Sequence, residues 1–331
     1  MRKLWSSISE AWPEHRLTPF IMLLLPLYYC FLPGFIRAQA PQPTATISVN
    51  VKVVALDAVV RNPDGQLVLD LGKDAFTLKV DGKPTVIRYF NHDNDLPLTI
   101  GLTIDTSGSQ RVYFDEEALN SETFLNNILT NPKDRALIAC FDSRIDLLQK
   151  MTTRLNELHN ALRRLDYRQP ETGPGATHLF DAIAALSKSV TSPEAGRRAL
   201  VILTDGDDNG SQTSLQDAIR EAQLAGVAVY GVLYTHDVIG GVPYPSPGTL
   251  RPSGIGIMRQ ISKATGGRAF VVGTGTPIAE IFAEIGQDLR SQYRFGFTPL
   301  PSKPDKFHPI ELRTGDKHQT IQARSGYYTP D

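Results

Sequence analysis

From residue 46 onward, apolar and polar positions follow three successive patterns. The first runs from 46 to 94. "ISVNVKVVALDAVV" alternates apolar with polar side chains, the period of a half-buried strand. "NPDG" (Asn62 to Gly65) is turn chemistry. "DAFTLKV" and "KPTVIRYF" read as two strands, with Asp81-Gly82 as the hairpin signal between them. The second pattern fills 95 to 290, where strands alternate with helices. "LTIGLTID", "DRALIACF", "IDLLQKM", "RRALVILTD", "VAVYGVLY" and "RAFVV" are strand runs. Between them lie helical runs such as "FDEEALNSETFLNNIL", "HLFDAIAALSKSV", "SLQDAIREAQLAG" (with Gly226 as its stop) and "PIAEIFAEIGQDLRSQ" (with Pro277 in its first turn). The third pattern, 292 to 329, is β again: "YRFGFTP", "HPIELRT" and "TIQARSGYY". The middle stretch predicts an α/β fold, doubly wound, with a mostly parallel sheet and helices on both faces. Two arrangements of the flanks are open. They pair into one small β-sandwich, or each adds separately to the α/β sheet.

Residues 1 to 40 stand outside these patterns. Lys3, His15 and Arg16 precede "FIMLLLPLYYCFLPGFI", an apolar run that is short and broken by proline. "AQA" then offers small residues at 38 to 40, and the chain turns polar. This reads as a secretory signal cut after Ala40, giving a secreted or periplasmic protein. An uncleaved membrane anchor is the alternative. Tyr29 stands where a lipoprotein signal needs a small residue before Cys30, so lipid attachment is not expected. Without the signal the remaining cysteine is Cys140, which is expected to be a buried, small apolar group. An apolar content of 41% is enough for a core that needs no disulfides. The formal net charge of −1 gives no bulk attraction to nucleic acid or to an anionic membrane. Membrane contact is expected only through an uncleaved signal segment.

Candidate chemistry gathers at the ends of buried strands. The strand over 98 to 105 delivers Asp105 and then Thr106, Ser107, Gly108 and Ser109. Such a tip can attack a substrate, cradle a phosphate or hold a metal. A second buried strand ends in Asp205, before Gly206, and a Gly/Pro-rich loop presents Thr177 ahead of a helix. In an open parallel sheet the ligand crevice lies at the carboxyl ends of the strands, where their order reverses. If the two acid-ending strands are neighbours there, Asp105, Ser107, Ser109, Thr177 and Asp205 converge as oxygen donors. That set suits a hard divalent cation, Mg²⁺ first, with Mn²⁺ and Ca²⁺ of the same class. Asp207, Asp208 and Asn209 are turn and helix-capping groups ahead of Ser214 or Leu215, or partners that tune the site. Asp142 is expected as a solvated turn acid, His178 as packing or surface, and Arg197 and Arg198 as solvated.

Asp105-Thr106-Ser107-Gly108-Ser109, Thr177 and Thr204-Asp205-Gly206 together resemble the metal-ion-dependent adhesion site (MIDAS) of von Willebrand factor type A (VWA) domains. The resemblance covers roughly 95 to 290. The flanks "LGKDAFTLKVDGKPTVIRYF", "DLRSQYRFGFTP" and "RSGYYTP" resemble those of bacterial secreted proteins built around this domain. Gln110 departs from the methionine frequent at its place, and "GPGATHLF" varies the usual glycine-threonine loop. The resemblance implies a cation bound by Asp105, Ser107, Ser109, Thr177 and Asp205, directly or through water. It also implies an open position that a partner's Asp or Glu fills.

The expected function is therefore an exported, metal-dependent protein-binding module for adhesion or assembly, not an enzyme. A structural subunit of an envelope assembly with a purely structural cation is the rival reading. A Mg²⁺-dependent hydrolase is a weaker one, because no base or basic clamp accompanies the acids. Nucleotide binding has no support, since neither a Gly-x-Gly-x-x-Gly after the first strand nor a Gly-Lys-Ser/Thr occurs. No Gly-x-Ser-x-Gly elbow makes Ser107 or Ser109 a nucleophile. The long loop from Thr235 to Gly256 is expected on the metal face. Its Tyr244 and prolines form a partner-contact surface, or the loop is a mobile insertion.

Overall fold

The computed structural model describes residues 53–92, 95–110, 113–165, 175–190, 196–234, 254–273, 275–299 and 301–329. The signal segment, its cleavage at Ala40 and the Tyr244 loop lie outside them.

The α/β part builds one six-stranded sheet. In chain order it runs β5 (Leu98–Asp105), α1 (Phe114–Ile128), β6 (Arg135–Phe141), β7 (Ile145–Thr152), α2 (Leu155–Leu162), α3 (Leu179–Ser189), β8 (Arg197–Thr204), α4 (Leu215–Ala225), β9 (Ala228–Leu233), α5 (Gly254–Thr265), β10 (Ala269–Val271) and α6 (Ile278–Arg290). Strand order is β10-β9-β8-β5-β6-β7. All neighbours are parallel except the edge strand β7, which runs antiparallel to β6. Both faces of the sheet are buried, and alternate residues divide between them. Ile100, Leu102 and Ile104 pack with Phe124 of α1 and Phe282 of α6. Leu200 and Ile202 face the other way, toward Leu186 of α3 and Ala222 of α4. Gly101 sits on that second face because a Cβ there would lie 2.7 Å from Leu200. Cys140 is fully buried, as a small apolar group. Ser214 caps α4 by accepting from Asp217 N–H at 3.1 Å, and Gly226 closes it at φ 64°. Pro277 lies just outside α6, at its N-cap.

The flanking β segments pair with each other. They comprise β1 (Val54–Arg61), β2 (Phe76–Val80), β3 (Lys83–Pro84) and β4 (Tyr89–Asn91) before the α/β part. β11 (Tyr293–Phe297), β12 (Phe307–Thr314), β13 (Thr320–Ala323) and β14 (Gly326–Tyr328) follow it. One sheet has the order β13-β1-β11-β4 and the other β14-β12-β2-β3. Leu56 opposite Phe295 joins the two ends of the chain directly. A shared core of Leu56, Phe76, Leu78, Tyr293 and Phe295 fills the space between the sheets, with the Phe76 and Phe295 rings 4.8 Å apart. This is the sandwich arrangement. Asp81 and Gly82 form the β2–β3 turn with φ 51° and 73°, the left-handed pair of a two-residue hairpin. His308, itself buried, ties that turn down. Its Nδ1 pairs with Asp81 Oδ2 at 2.8 Å, and its Nε2 with Ser302 Oγ at 2.8 Å and Thr329 Oγ1 at 3.0 Å.

Two strand expectations split. "KPTVIRYF" becomes β3 and β4, which belong to different sheets. Thr85 N–H still bonds Leu78 of one sheet at 2.9 Å, whereas Arg88 N–H bonds Gly296 of the other at 2.8 Å. Pro84 has no N–H with which to extend the first ladder. "TIQARSGYY" divides the same way into β13 and β14.

The arginine that opens β8 overturns an expectation. Arg197 is 1% exposed, not solvated, and its guanidinium donates to Gln292 O at 2.8 Å. Carbonyls of Arg290 and Gln292, at the α6–β11 passage, accept from its two terminal nitrogens, so the arginine clasps the sandwich to the sheet. Arg198 is half-buried and donates to Ala225 O at 2.9 Å, at the carboxyl end of α4.

Candidate metal centre

β5 and β8 are adjacent and parallel, with Ile104 opposite Leu203. From β5 the chain builds outward through β6 and β7, then returns to β8 on the other side and continues to β9 and β10. The order therefore reverses between β5 and β8, and the crevice rule places a ligand there.

Asp105 closes β5 with its carboxylate fully enclosed. Its Oδ1 accepts from Ser107 N–H at 2.9 Å, and its Oδ2 accepts from Thr204 Oγ1 at 2.7 Å. Ser107 Oγ lies 3.1 Å from Ser109 Oγ, and Ser109 Oγ donates to Asp205 Oδ2 at 2.7 Å. Four of the five expected donors thus form one hydrogen-bonded series across the switch point, joined from Asp105 to Ser107 through the Ser107 N–H and onward through hydroxyls. Thr106 anchors the loop to the neighbouring strand end: its N–H bonds Phe141 O at 2.7 Å, and its hydroxyl reaches Asp142 Oδ2 at 3.3 Å. Asp142 is therefore engaged in holding the loop, and also accepts from Arg144 N–H at 2.9 Å.

Thr177 reaches this edge from the α3 side. It is 5% exposed and held by Asn209, whose side chain accepts from Thr177 N–H at 2.6 Å and whose own N–H donates to Thr177 O at 3.1 Å. The loop after Asp205 serves α3, not α4. Asp208 Oδ1 accepts from Phe180 N–H at 3.0 Å, while Asp181 accepts from Gln212 and Thr213 N–H at 3.1 and 2.8 Å. The expected capping role of Asp208 is thus met at a different helix. Asp207 N–H bonds Asp205 Oδ1 at 3.0 Å. His178 is partly exposed at the start of α3, and its ring packs on Gly210.

Glycine is required where α5 begins. Gly206 has φ 84°, and a Cβ on it would meet Gly254 O at 2.5 Å. A Cβ on Gly254 would meet Asp205 O at 2.2 Å. The two backbones touch, so the first turn of α5 fixes the loop that carries Asp205.

Burial pushes the Asp105 carboxyl up to about 7; hydrogen bonds from Ser107 and Thr204 oppose the rise, and the nearby Asp205 adds to it. Glu117 on α1 is also enclosed, and its pKa is raised well above the ordinary value by burial, then by Asp105 and Glu116. Sequence reasoning named Asn209 with Asp207 and Asp208, but it gave no role to Thr204 and passed over Glu117. Thr204 stood inside the quoted Thr-Asp-Gly motif; Glu117 acts through space and left no local signal. Two carboxylates and neighbouring hydroxyls, all oxygen, fit a hard divalent cation whose charge would relieve the enforced closeness of the acids.

An open parallel sheet with an acid-and-hydroxyl cluster at its switch point defines a doubly wound domain with its site on the carboxyl edge. Residues 100–242 match the family model of the von Willebrand factor type A domain, so this part of the chain is a VWA domain. Domains of this family are protein-interaction modules. No curated protein matches the chain. Solved structures similar to it include the conserved hypothetical protein BatB from Bacteroides thetaiotaomicron, with 16% identity, 58% of this chain and 96% of that one covered, and TM-score 0.45. The vWF domain of the type V pili tip protein Mfa5 from Porphyromonas gingivalis has 12% identity, 58% and 95% coverage, and TM-score 0.41. A von Willebrand factor type A protein from Catenulispora acidiphila has 11% identity, 85% and 74% coverage, and TM-score 0.45.

Proposed function

We propose that the chain is an exported, metal-dependent protein-binding module. In this reading Asp105, Ser107, Ser109, Thr177 and Asp205 hold a divalent cation, Mg²⁺ first, and a partner's Asp or Glu completes its coordination. The chemistry the ion supplies is a bridge between carboxylates of two proteins. The observation that carries the reading is the hydrogen-bonded series from Asp105 through Ser107 and Ser109 to Asp205, which gathers two carboxylates and two hydroxyls at the β5–β8 switch point. The reading is non-enzymatic, since binding alone accounts for the donor set. Export rests on the signal-like first forty residues; among the described residues no helix is long and apolar enough to cross a membrane.

Isothermal titration with MgCl₂ tests the site. Wild type should bind one ion and Asp105→Ala none, with both folded by circular dichroism. Crystals grown with Mg²⁺ and acetate should then show a carboxylate oxygen on the ion. Unchanged affinity in the variant, or an ion enclosed wholly by protein oxygens, overturns the bridging function.

A further inference from the structure

The sandwich carries a second candidate binding face at the pole opposite the metal site. β13 ends its sheet, so one of its edges has no strand neighbour among the described residues. A groove of about 980 Å³ runs beside it, bounded by β12 and by α5. Arg268 and Ala269, at the amino end of β10, help line this groove, whereas Asp105 and Asp205 stand at the carboxyl ends of the parallel strands.

The charge along the groove is unbalanced. Arg61 is answered by Asp288, Arg268 by Glu284 at 2.9 Å and Asp288 at 3.6 Å, and Arg313 by Glu311, the carboxylate in the lining. Arg259 and Lys263 lie one helical turn apart on α5, exposed, with no carboxylate partner among the described residues. Between them Ser262, 1% exposed, has no hydrogen-bond partner for its hydroxyl among the described residues.

An unpaired strand edge offers a ladder of N–H and C=O groups, and an added strand gains main-chain bonds there. Side chains of such a strand alternate, so one set faces the α5 cations. We propose that the β13 edge docks an extended, acid-bearing segment of a partner protein, which adds as a fifth strand and sets its carboxylates against Arg259 and Lys263. This face works independently of the metal.

The test uses the purified chain and a fluorescein-labelled peptide, Val-Glu-Val-Glu-Val-Glu-Val, followed by fluorescence anisotropy in EDTA. Saturable binding is expected, weakened at least tenfold in Arg259→Glu/Lys263→Glu and in a peptide N-methylated at alternate residues. Both substituted positions are exposed, and circular dichroism checks that the variant folds. No binding in EDTA, equal binding by the double variant, or equal binding of the N-methylated peptide overturns the proposal. So does a sulfated oligosaccharide that binds wild type in place of the peptide. Because chelator removes any contribution of the metal face, failure here leaves the bridging function standing, and failure of Mg²⁺ binding leaves this test intact.

Discussion

Asp105 is held in tension between two demands. Strand β5 needs its end buried, while a cation site needs a charged carboxylate beside Asp205. Burial wins, and the carboxyl rises to about 7. The unfolded group titrates near about 4, so the raised folded value removes stability as pH climbs between about 4 and 7. In EDTA, denaturant melts should show wild type losing stability over that window, on the order of a few kcal/mol relative to Asp105→Asn. Saturating Mg²⁺ should erase the loss in wild type only. Parallel pH profiles of wild type and Asp105→Asn in EDTA would remove this account of the acid. Arg197 teaches the complementary lesson. A charged residue before a strand reads as solvated, because its acceptors, the carbonyls of 290 and 292, lie far away in sequence. Arg197→Ala should cost about 3–5 kcal/mol in thermal or denaturant melts, since buried carbonyls lose their donor and a cavity opens. Arg198→Ala, at a half-buried position, should cost much less.

Elements were legible where their period was long and their ends were marked. β5, β8 and α4 each carry a strong pattern and a clear terminus: an acid, a Thr-Asp-Gly turn, a Ser214 cap and Gly226. The convergence of Asp105, Ser107, Ser109 and Asp205 was legible for the same reason, as each stands at or beside such a terminus. Their supports were not. Asn209 and Asp208 brace Thr177 and α3 across the crevice, and nothing local distinguishes them from turn residues. The splits at β3–β4 and β13–β14 were hidden too, because a period of two names the buried face of a strand but not its sheet. The contact between the β8–α4 loop and the start of α5 offers a test. Gly206→Ala puts a Cβ 2.5 Å from Gly254 O at φ 84°, so α5 must retreat from Asp205. Stability should drop by about 1–2 kcal/mol and Mg²⁺ affinity should fall, while Gly108→Ala, with nothing within 4 Å of its Cβ, should change stability little. Calorimetry of both variants decides; equal effects would mean the α5 contact does not shape the site.

At the scale of the whole molecule, the VWA domain is inserted into the sandwich, and both chain ends of the insertion depend on it. β11 follows α6 directly and lies between β1 and β4, which precede β5. Residues 50–331 form one compact unit. Side-chain clasps cross the junction: Arg61 of β1 to Asp288 of α6, and Gln322 of β13 to Tyr230 of β9 at 3.2 Å. Asp288 is fully buried, so removing Arg61 leaves its charge to Arg268 alone at 3.6 Å, which is costlier than losing a surface pair. The aromatic core makes the coupling stronger. Tyr293, Phe295 and Phe297 are all buried against residues from the N-terminal β segment. Each buried aromatic contributes on the order of 2–3 kcal/mol through lost water contact. A chain lacking residues 53–92 would expose that row along β11 as an unpaired apolar strand, a template for aggregation. The deletion should therefore yield insoluble protein, whereas residues 95–290 alone, which end before β11, should stay soluble and keep Mg²⁺ binding. Static light scattering and titration of the two fragments compare them. In the intact chain, differential scanning calorimetry should show the sandwich and the α/β domain melting in one transition, and Arg61→Ala should split or broaden it. A soluble, monomeric chain without 53–92 would mean that β11 finds other cover.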